Sequence, residues 1–273
     1  MEANYIQQLM QQCFEMKLKA LEMAQSTSFG AHIGGGFSAM EITAALYEVA
    51  NIPSMEDVTR DRIIVSKGHC VLAYYTALWK KGYVTEEELA TFETDGTQFH
   101  GHPHRNLQKG IEFSGGSLGL GLSYAVGVAK ACKMKGYDNT IYVLIGDGEM
   151  DEGIVWESFM SIAHFGLDNM VIIVDKNGHQ LDGPTEEIMG LKSIEKKLEA
   201  FGFDVDTVDG HSIEELLNVL PKNTGNPRAI VANTIKAHGI SFLENNKMSH
   251  QCVLTKKKYE QAVEEIKKAY NGE

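Results

Sequence analysis

Two apolar runs stand at the centre of the chain, at 140–145 (Thr-Ile-Tyr-Val-Leu-Ile) and 170–174 (Met-Val-Ile-Ile-Val). Both are short, β-rich and closed by glycine, aspartate or asparagine, which is the pattern of strands buried on both faces. Between them Ile154, Phe159, Ile162 and Ala163 fall roughly on one side of a helix. The same alternation runs through the rest of the chain. An amphipathic helix is predicted over 4–26, with Leu9, Cys13, Met16, Ala20 and Met23 near one face. The glycine-rich stretch from Gly30 to Ser38 is predicted to be a loop, because three consecutive glycines weaken any regular element. Ser38 is then expected to cap a helix over 39–50, with Glu41 completing a capping box. A strand over 61–65 feeds a helix over 70–81, and Thr85 to Glu88 signals a small helix reaching Phe92. A small-residue helix over 122–135 should pack tightly through Ala125, Gly127 and Ala129. Beyond residue 183 come a helix (193–201), a strand (203–208), a Ser212-capped helix (213–220), a strand (229–235) and a charged helix (256–270). Strands alternating with helices predict one α/β domain over 1–273, a mostly parallel sheet with helices on both faces.

Composition narrows the function more than the fold. A hydrophobic share of 43% and a charged share of 23% suit a soluble globular chain, and 273 residues suffice for one sizeable core. The net charge of −12 (25 basic against 37 acidic residues) argues against nucleic acid or an anionic membrane as partner. Cys13, Cys70, Cys132 and Cys252 have no CxxC spacing, so buried thiols of a reducing compartment are expected rather than disulfides or a zinc site. The first thirty residues read as no signal peptide and no apolar run is long enough to span a bilayer, so a cytoplasmic enzyme is expected.

The candidate chemistry collects at strand ends. In a parallel sheet the two central strands stop at one edge, so Asp147 and Asn177 should meet although thirty residues separate them. A carboxylate, an amide oxygen and a backbone carbonyl are hard ligands, suited to Mg2+ or Ca2+ carrying a phosphate and not to zinc. Gly148, without a Cβ, leaves room for a phosphate to approach the backbone. The alternative is a pair of ordinary strand-end turns. His32 sits in the glycine-rich stretch and His69 at the strand end Ser66-Lys-Gly-His69. For His32 the alternative is a loop histidine bonded to backbone. His100, His102 and His104 invite a metal site, yet no acidic partner follows in hydrolase order, and glycine and proline make an extended loop. Gly116 to Gly121 approaches a dinucleotide fingerprint, but Tyr124 stands at the third glycine and no acidic ribose ligand follows.

Taken together these motifs resemble the transketolase family almost end to end. Gly146-Asp147-Gly148 followed by Asn177 matches its thiamin diphosphate motif; Ser66–His69, Gly101-His102-Pro103, Gly116-Ser117-Leu118-Gly119-Leu120-Gly121, Val208–His211 and Thr234–Asn246 appear in family order. The resemblance implies a thiamin diphosphate-binding fold and transfer of a two-carbon ketol unit from a ketose phosphate to an aldose phosphate. It implies that Asp147, Asn177 and the backbone of His179 hold the metal. It places His69, Gly116, Ser117, Leu118, Gly146, Gly148, Glu149 and Glu152 against the cofactor. His32, His69, His102 and His250 would face the thiazolium and the sugar: His102 at the donor hydroxyls, His32 and His250 in proton transfer, His69 at the cofactor and intermediate. Histidine suits that work, since a hydroxyl proton must leave and later return near neutral pH. Two departures stand out: Ser117 replaces the usual proline, and Gln251 replaces the glycine usual after His250.

The family's pyrimidine-binding and carboxy-terminal domains, and the glutamate that bonds the aminopyrimidine, have no counterpart in these residues. The resemblance therefore implies the small subunit of a split enzyme, two small and two large chains, with sugar phosphates as substrates. A deoxyxylulose phosphate synthase-like subunit, a 2-oxo acid dehydrogenase-like subunit and a non-catalytic scaffold are the alternatives.

Overall fold

The computed structural model describes residues 3–272. Five strands form one sheet: β1 (Arg62–Val65), β2 (Ile141–Gly146), β3 (Met170–Lys176), β4 (Asp204–Asp209) and β5 (Arg228–Asn233). Their order is β1-β2-β3-β5-β4, and every neighbouring pair is parallel. All five strands therefore end at one edge, as the alternating pattern predicts. The register sets Gly146 beside Asp175, so the turns that follow β2 and β3 leave the sheet side by side.

The central runs are continuous because both faces are covered. Ile141, Val143 and Ile145 of β2 pack on one side with Met170, Ile172 and Val174 of β3. Tyr142, Leu144, Val171 and Ile173 pack on the other. The first layer is built by α6 (Leu120–Met134), α7 (Gly153–His164) and α9 (Ile194–Ala200), through residues such as Leu122, Phe159 and Leu198. The second layer holds α1 (Ala3–Ser26), α3 (Met40–Val49), α4 (Val71–Lys80), α10 (Ile213–Val219) and α11 (Lys256–Asn271). Each fully buried aliphatic side chain here is worth about 1.5–3 kcal/mol of transfer free energy, so the two layers fix which strand residues point which way. Leu9, Cys13, Met16, Ala20 and Met23 are buried as the amphipathic pattern of α1 predicts. Thr85 caps α5 (Glu86–Leu89) in a reciprocal box with Glu88. A short helix not predicted from the sequence is α8 (Thr185–Met189). All four cysteines are free thiols, and no described helix is long and apolar enough to cross a membrane.

Three expectations need correction. The glycine stretch is not a loop: residues Ile33–Ser38 form a buried helix, α2. Its glycines are there because nothing larger fits. A Cβ at Gly34 would lie 2.7 Å from Ser249 Oγ, at Gly35 2.6 Å from His69 Cδ2, and at Gly36 2.9 Å from Leu72 Cβ. Packing at three contacts outweighs the helix-propensity cost of about 1 kcal/mol per glycine. Secondly, Ser38 does not cap α3; the N-cap is Ala39, without a side-chain bond. Glu41 instead pairs with Lys17 (2.6 Å) and His211 (3.0 Å). Thirdly, Ala125 and Ala129 are buried but Gly127 is exposed, with nothing within 4 Å of a Cβ there.

Candidate active site

Past the carboxyl ends of β1, β2 and β3 lies a cleft of about 320 Å3. It is polar where the strands end and histidine-lined at its other side. Asp147 follows β2 directly and is 3% exposed. Its carboxylate accepts from the backbone N–H of Gly148 (2.9 Å) and of Gly178 (2.7 Å). The second bond ties the end of β2 to the loop after β3, so Asp147 and Asn177 do meet, as the parallel sheet predicts. Burial, then the neighbouring Asp175, push the Asp147 carboxyl up to about 6, against the two N–H donors and Lys67. An ionised Asp147 is therefore short of positive charge. Asn177 is buried, and its Oδ1 accepts from His179 N–H at 3.1 Å. Asp147, Asn177 and His179 line the cleft together, so a carboxylate, an amide oxygen and a backbone carbonyl, all hard donors, are available there. That set, with an under-compensated carboxylate in it, fits a divalent cation.

The glycines around it serve close approach. Gly148 faces Gln180, whose Cγ would be 2.8 Å from a Cβ. Gly116 has φ 124°, and a Cβ there would face the His102 ring at 3.7 Å. Gly68 and Gly115 nest backbone to backbone, which brings the turn after β1 against the loop entering α6. Gly121 packs on the same turn, where a Cβ would lie 2.6 Å from Ser66 Cα. The near-fingerprint of glycines thus serves helix-to-turn packing. Glu149, held up by burial, spends its carboxylate on protein donors: Ser66, Gly119 N–H (2.8 Å) and Gly146 N–H (3.0 Å). Glu152 is exposed at the cleft, whereas Ser117, also exposed, does not line it.

The four histidines singled out in the sequence converge. Ring centroids separate His32 from His102 by 5.0 Å, from His250 by 5.3 Å and from His69 by 6.2 Å, and His69 from His250 by 5.3 Å. Each arrives differently: His32 at the start of α2, His69 in the turn after β1, His102 on a loop, His250 near the far end of the chain. His250 reaches His32 through a backbone bridge, Ala31 N–H to Cys252 O (2.9 Å) and Cys252 N–H to Ala31 O (3.1 Å). Gln251 sits inside that bridge and donates to Phe29 O at 3.3 Å, so its replacement of glycine leaves His250 in place. Burial, then His102 and His250, bring His32 down to about 4; burial, then Lys236 and Lys67, do the same for His250. Burial and Lys67 hold His69 well below the ordinary value, and burial lowers His102. All four imidazoles are therefore neutral at pH 7. The rings of His100 and His104 lie 4.6 Å apart, tilted by 40°, and, among the described residues, join no metal-capable group.

Sequence reasoning missed several members. Gly35, Lys67, Asp151, Gln180, Leu181 and Lys236 also line the cleft. Lys67 pairs with Asp175 in the interior; Lys236 donates to Gln180 O at 2.8 Å and is brought down to about 8 by burial and then Lys67. The available signal was position: both lysines follow a buried strand, where a long cation can reach the sheet edge. A larger cavity of about 420 Å3 lies between α1, α10 and α11. In its polar lining Glu41 is taken by Lys17 and His211, and His211 Nε2 accepts from Ile235 N–H at 2.9 Å, while His238 Nδ1 is buried without a hydrogen-bond partner among the described residues. The strand-end residues singled out in the sequence line the smaller cleft instead.

Comparison with known proteins identifies the family. The family described as "Transketolase, thiamine diphosphate binding domain" matches residues 9–271. The chain is 41% identical over 245 residues to a 6-deoxy-6-sulfo-D-fructose transketolase subunit of Clostridium sp. (strain MSTE9), covering 87% of this chain and 88% of that protein. It is 38% identical over 241 residues to an apulose-4-phosphate transketolase subunit of Phocaeicola vulgatus, covering 86% and 85%. The transketolase structure from Leishmania mexicana superposes with a TM-score of 0.84 at 28% identity, over 96% of this chain and 41% of that one. The chain thus spans about two fifths of that solved transketolase. Sheet order, strand-end cleft and family match converge on one conclusion: this chain belongs to the transketolase family and carries its thiamine diphosphate binding domain.

Proposed function

We propose that the chain is one diphosphate-binding domain acting as the small subunit of a split transketolase, transferring a two-carbon ketol unit from a ketose phosphate to an aldose phosphate. The observation that carries this reading is the meeting of Asp147, the Asn177 loop and His69, His102 and His250 in one cleft, with His32 buried against their rings. Relatives of nearly this length, named as transketolase subunits, support the split architecture.

In this reading Asp147, Asn177 and the His179 carbonyl hold Mg2+ or Ca2+, which neutralises the diphosphate. Gly116, Leu118, Gly146, Gly148 and Glu152 shape the rest of the cofactor seat. Glu149 acts from behind, pinning Gly119 and Gly146. Thiamin diphosphate, when bound, supplies the nucleophilic carbon and the electron sink for cleaving the sugar's carbon–carbon bond. The protein's own part is proton traffic. His102 holds the donor hydroxyls, and His32 and His250 take the hydroxyl proton released on cleavage. Their depressed basicity makes the resulting imidazolium a strong acid, which returns the proton to the new product hydroxyl. His69 packs against Gly35 and fixes the side of the cleft between cofactor and sugar.

The partner supplies the aminopyrimidine-binding glutamate. The test is ketol transfer from a ketose phosphate to an aldose phosphate with this chain alone, with the partner subunit alone and with both. Activity is expected only in the mixture; full activity from this chain, at a purity excluding the partner, overturns the split reading.

A further inference from the structure

Ser38, buried at the end of α2, does not line the strand-end cleft, yet four groups converge on its hydroxyl. It lies 2.6 Å from Asp175 Oδ2, 3.2 Å from Gly35 O, 3.1 Å from Lys67 Nζ and 3.3 Å from Asn177 Nδ2. The hydroxyl has one proton to give. Asp175 is an acceptor, as is the Gly35 carbonyl, and the carboxylate at 2.6 Å takes that proton. Lys67 can only donate. Whichever acceptor takes the hydroxyl proton, none remains for Asn177, so the Asn177 atom facing Ser38 must be the amide NH2. The amide oxygen is then turned the other way, towards His179 N–H and the cleft that Asn177 lines. Asp175 is itself held by Lys67 and Thr234, so the anchor does not swing.

We propose that Ser38 is a positioning residue: with Asp175 behind it, it locks the Asn177 amide with its oxygen towards the cleft and so sets the cation site. This rests on the reading of Asn177 as a cation ligand. Without the hydroxyl, the amide can rotate and present NH2, a donor, to a cation.

Two measurements separate the possibilities. The first is hydrogen exchange of the Asn177 side-chain amide by NMR, which needs no ligand. Slow exchange in the wild type and fast exchange in Ser38→Ala is expected; equal rates overturn the lock. The second is Mn2+ titration, with thiamin diphosphate, of this chain assembled with its partner subunit, free Mn2+ being read by electron paramagnetic resonance. Ser38→Ala should weaken Mn2+ about 10–100-fold, the range for outer-shell partners, and Ser38→Thr, which keeps the oxygen, should restore most of it. In Asn177→Ala the further change Ser38→Ala should cost less than about 2-fold, because a residue acting through Asn177 has nothing left to act on. A full extra loss in the double variant means a general structural role and overturns the proposal. If Asn177→Ala leaves Mn2+ affinity unchanged, or the wild type binds none, the cation-site reading fails instead and amide exchange alone decides the lock. Ser38→Cys, which keeps the volume with a weak acceptor, replaces the alanine variant if that one does not fold.

Discussion

At the scale of single residues, the proposed function separates groups that hold from groups that react. Asp147→Ala or Asn177→Ala removes an oxygen from the proposed cation set and should lower cofactor retention more than ~100-fold, above the range of outer-shell changes. Neither change empties a packed core, so the circular dichroism spectrum should not move. Calorimetric titration with thiamin diphosphate checks it, and unchanged affinity in both variants refutes the site. His102→Ala should behave differently, lowering turnover about 10²–10⁴-fold with cofactor affinity nearly kept, because its partner in the proposed function is the sugar. Equal losses in both would make it a cofactor or folding element. The depressed histidines also set a pH dependence. Those at about 4 in the fold, His32 and His250, sit at 6.5 when unperturbed. As pH falls below 6.5 the unfolded chain binds their protons first, so their contribution is fully present above 6.5 and drains as pH falls towards 4. Guanidinium unfolding at about pH 7.5, 6 and 5 should show this slope, and His32→Asn should flatten it; an unchanged slope would show that His32 is not the group responsible.

At the scale of elements, the sequence was readable wherever one rule acted alone. The central strands announced themselves because burial on both faces leaves continuous apolar runs. The bond between Asp147 and the loop after β3 was readable because parallel strands must end together. The α2 helix was not, since glycine propensity points to a loop and only contacts from distant segments, His69, Leu72 and Ser249, reverse it. Ser38 and Asp175 were hidden for the same reason: 137 positions separate them, and nothing local marks a serine that bonds a strand instead of capping a helix. The glycines give a direct check. Gly35→Ala and Gly121→Ala put a methyl 2.6 Å from His69 and from Ser66 Cα, respectively. Overpacking of this kind costs about 1–3 kcal/mol, or on the order of 5 °C in melting temperature for a chain this size. Gly127→Ala, inside α6 with open space around it, should instead gain about 0.4–1 kcal/mol by restricting the unfolded chain. Calorimetric melting of the three variants decides; equal effects would refute the contact argument.

For the whole molecule, the question is which surface meets the partner. Leu120, which opens α6 two residues after the cleft residue Leu118, is 43% exposed, and Leu181 on the cleft wall is 58% exposed. Ile188 and Met189 in α8 are exposed nearby in sequence. Large apolar side chains rimming a cleft mark an interaction surface more often than a bare one, and the proposed partner must cover this cleft to bring its glutamate to the cofactor. Leu120→Asp and Leu181→Asp should therefore leave the melting temperature of the isolated chain within a degree or so and yet prevent assembly, since a buried unpaired carboxylate costs several kcal/mol. Met134 provides the control. It is 80% exposed but lies at the other end of α6, fourteen residues or roughly 21 Å from Leu120 at about 1.5 Å per residue. Met134→Asp should assemble normally. Size-exclusion chromatography with light scattering reads the outcome: a complex of two small and two large chains for the wild type and Met134→Asp, separate subunits for the two leucine variants. Normal assembly of both leucine variants would move the interface away from the cleft rim, and with it the reason for placing the partner's glutamate there.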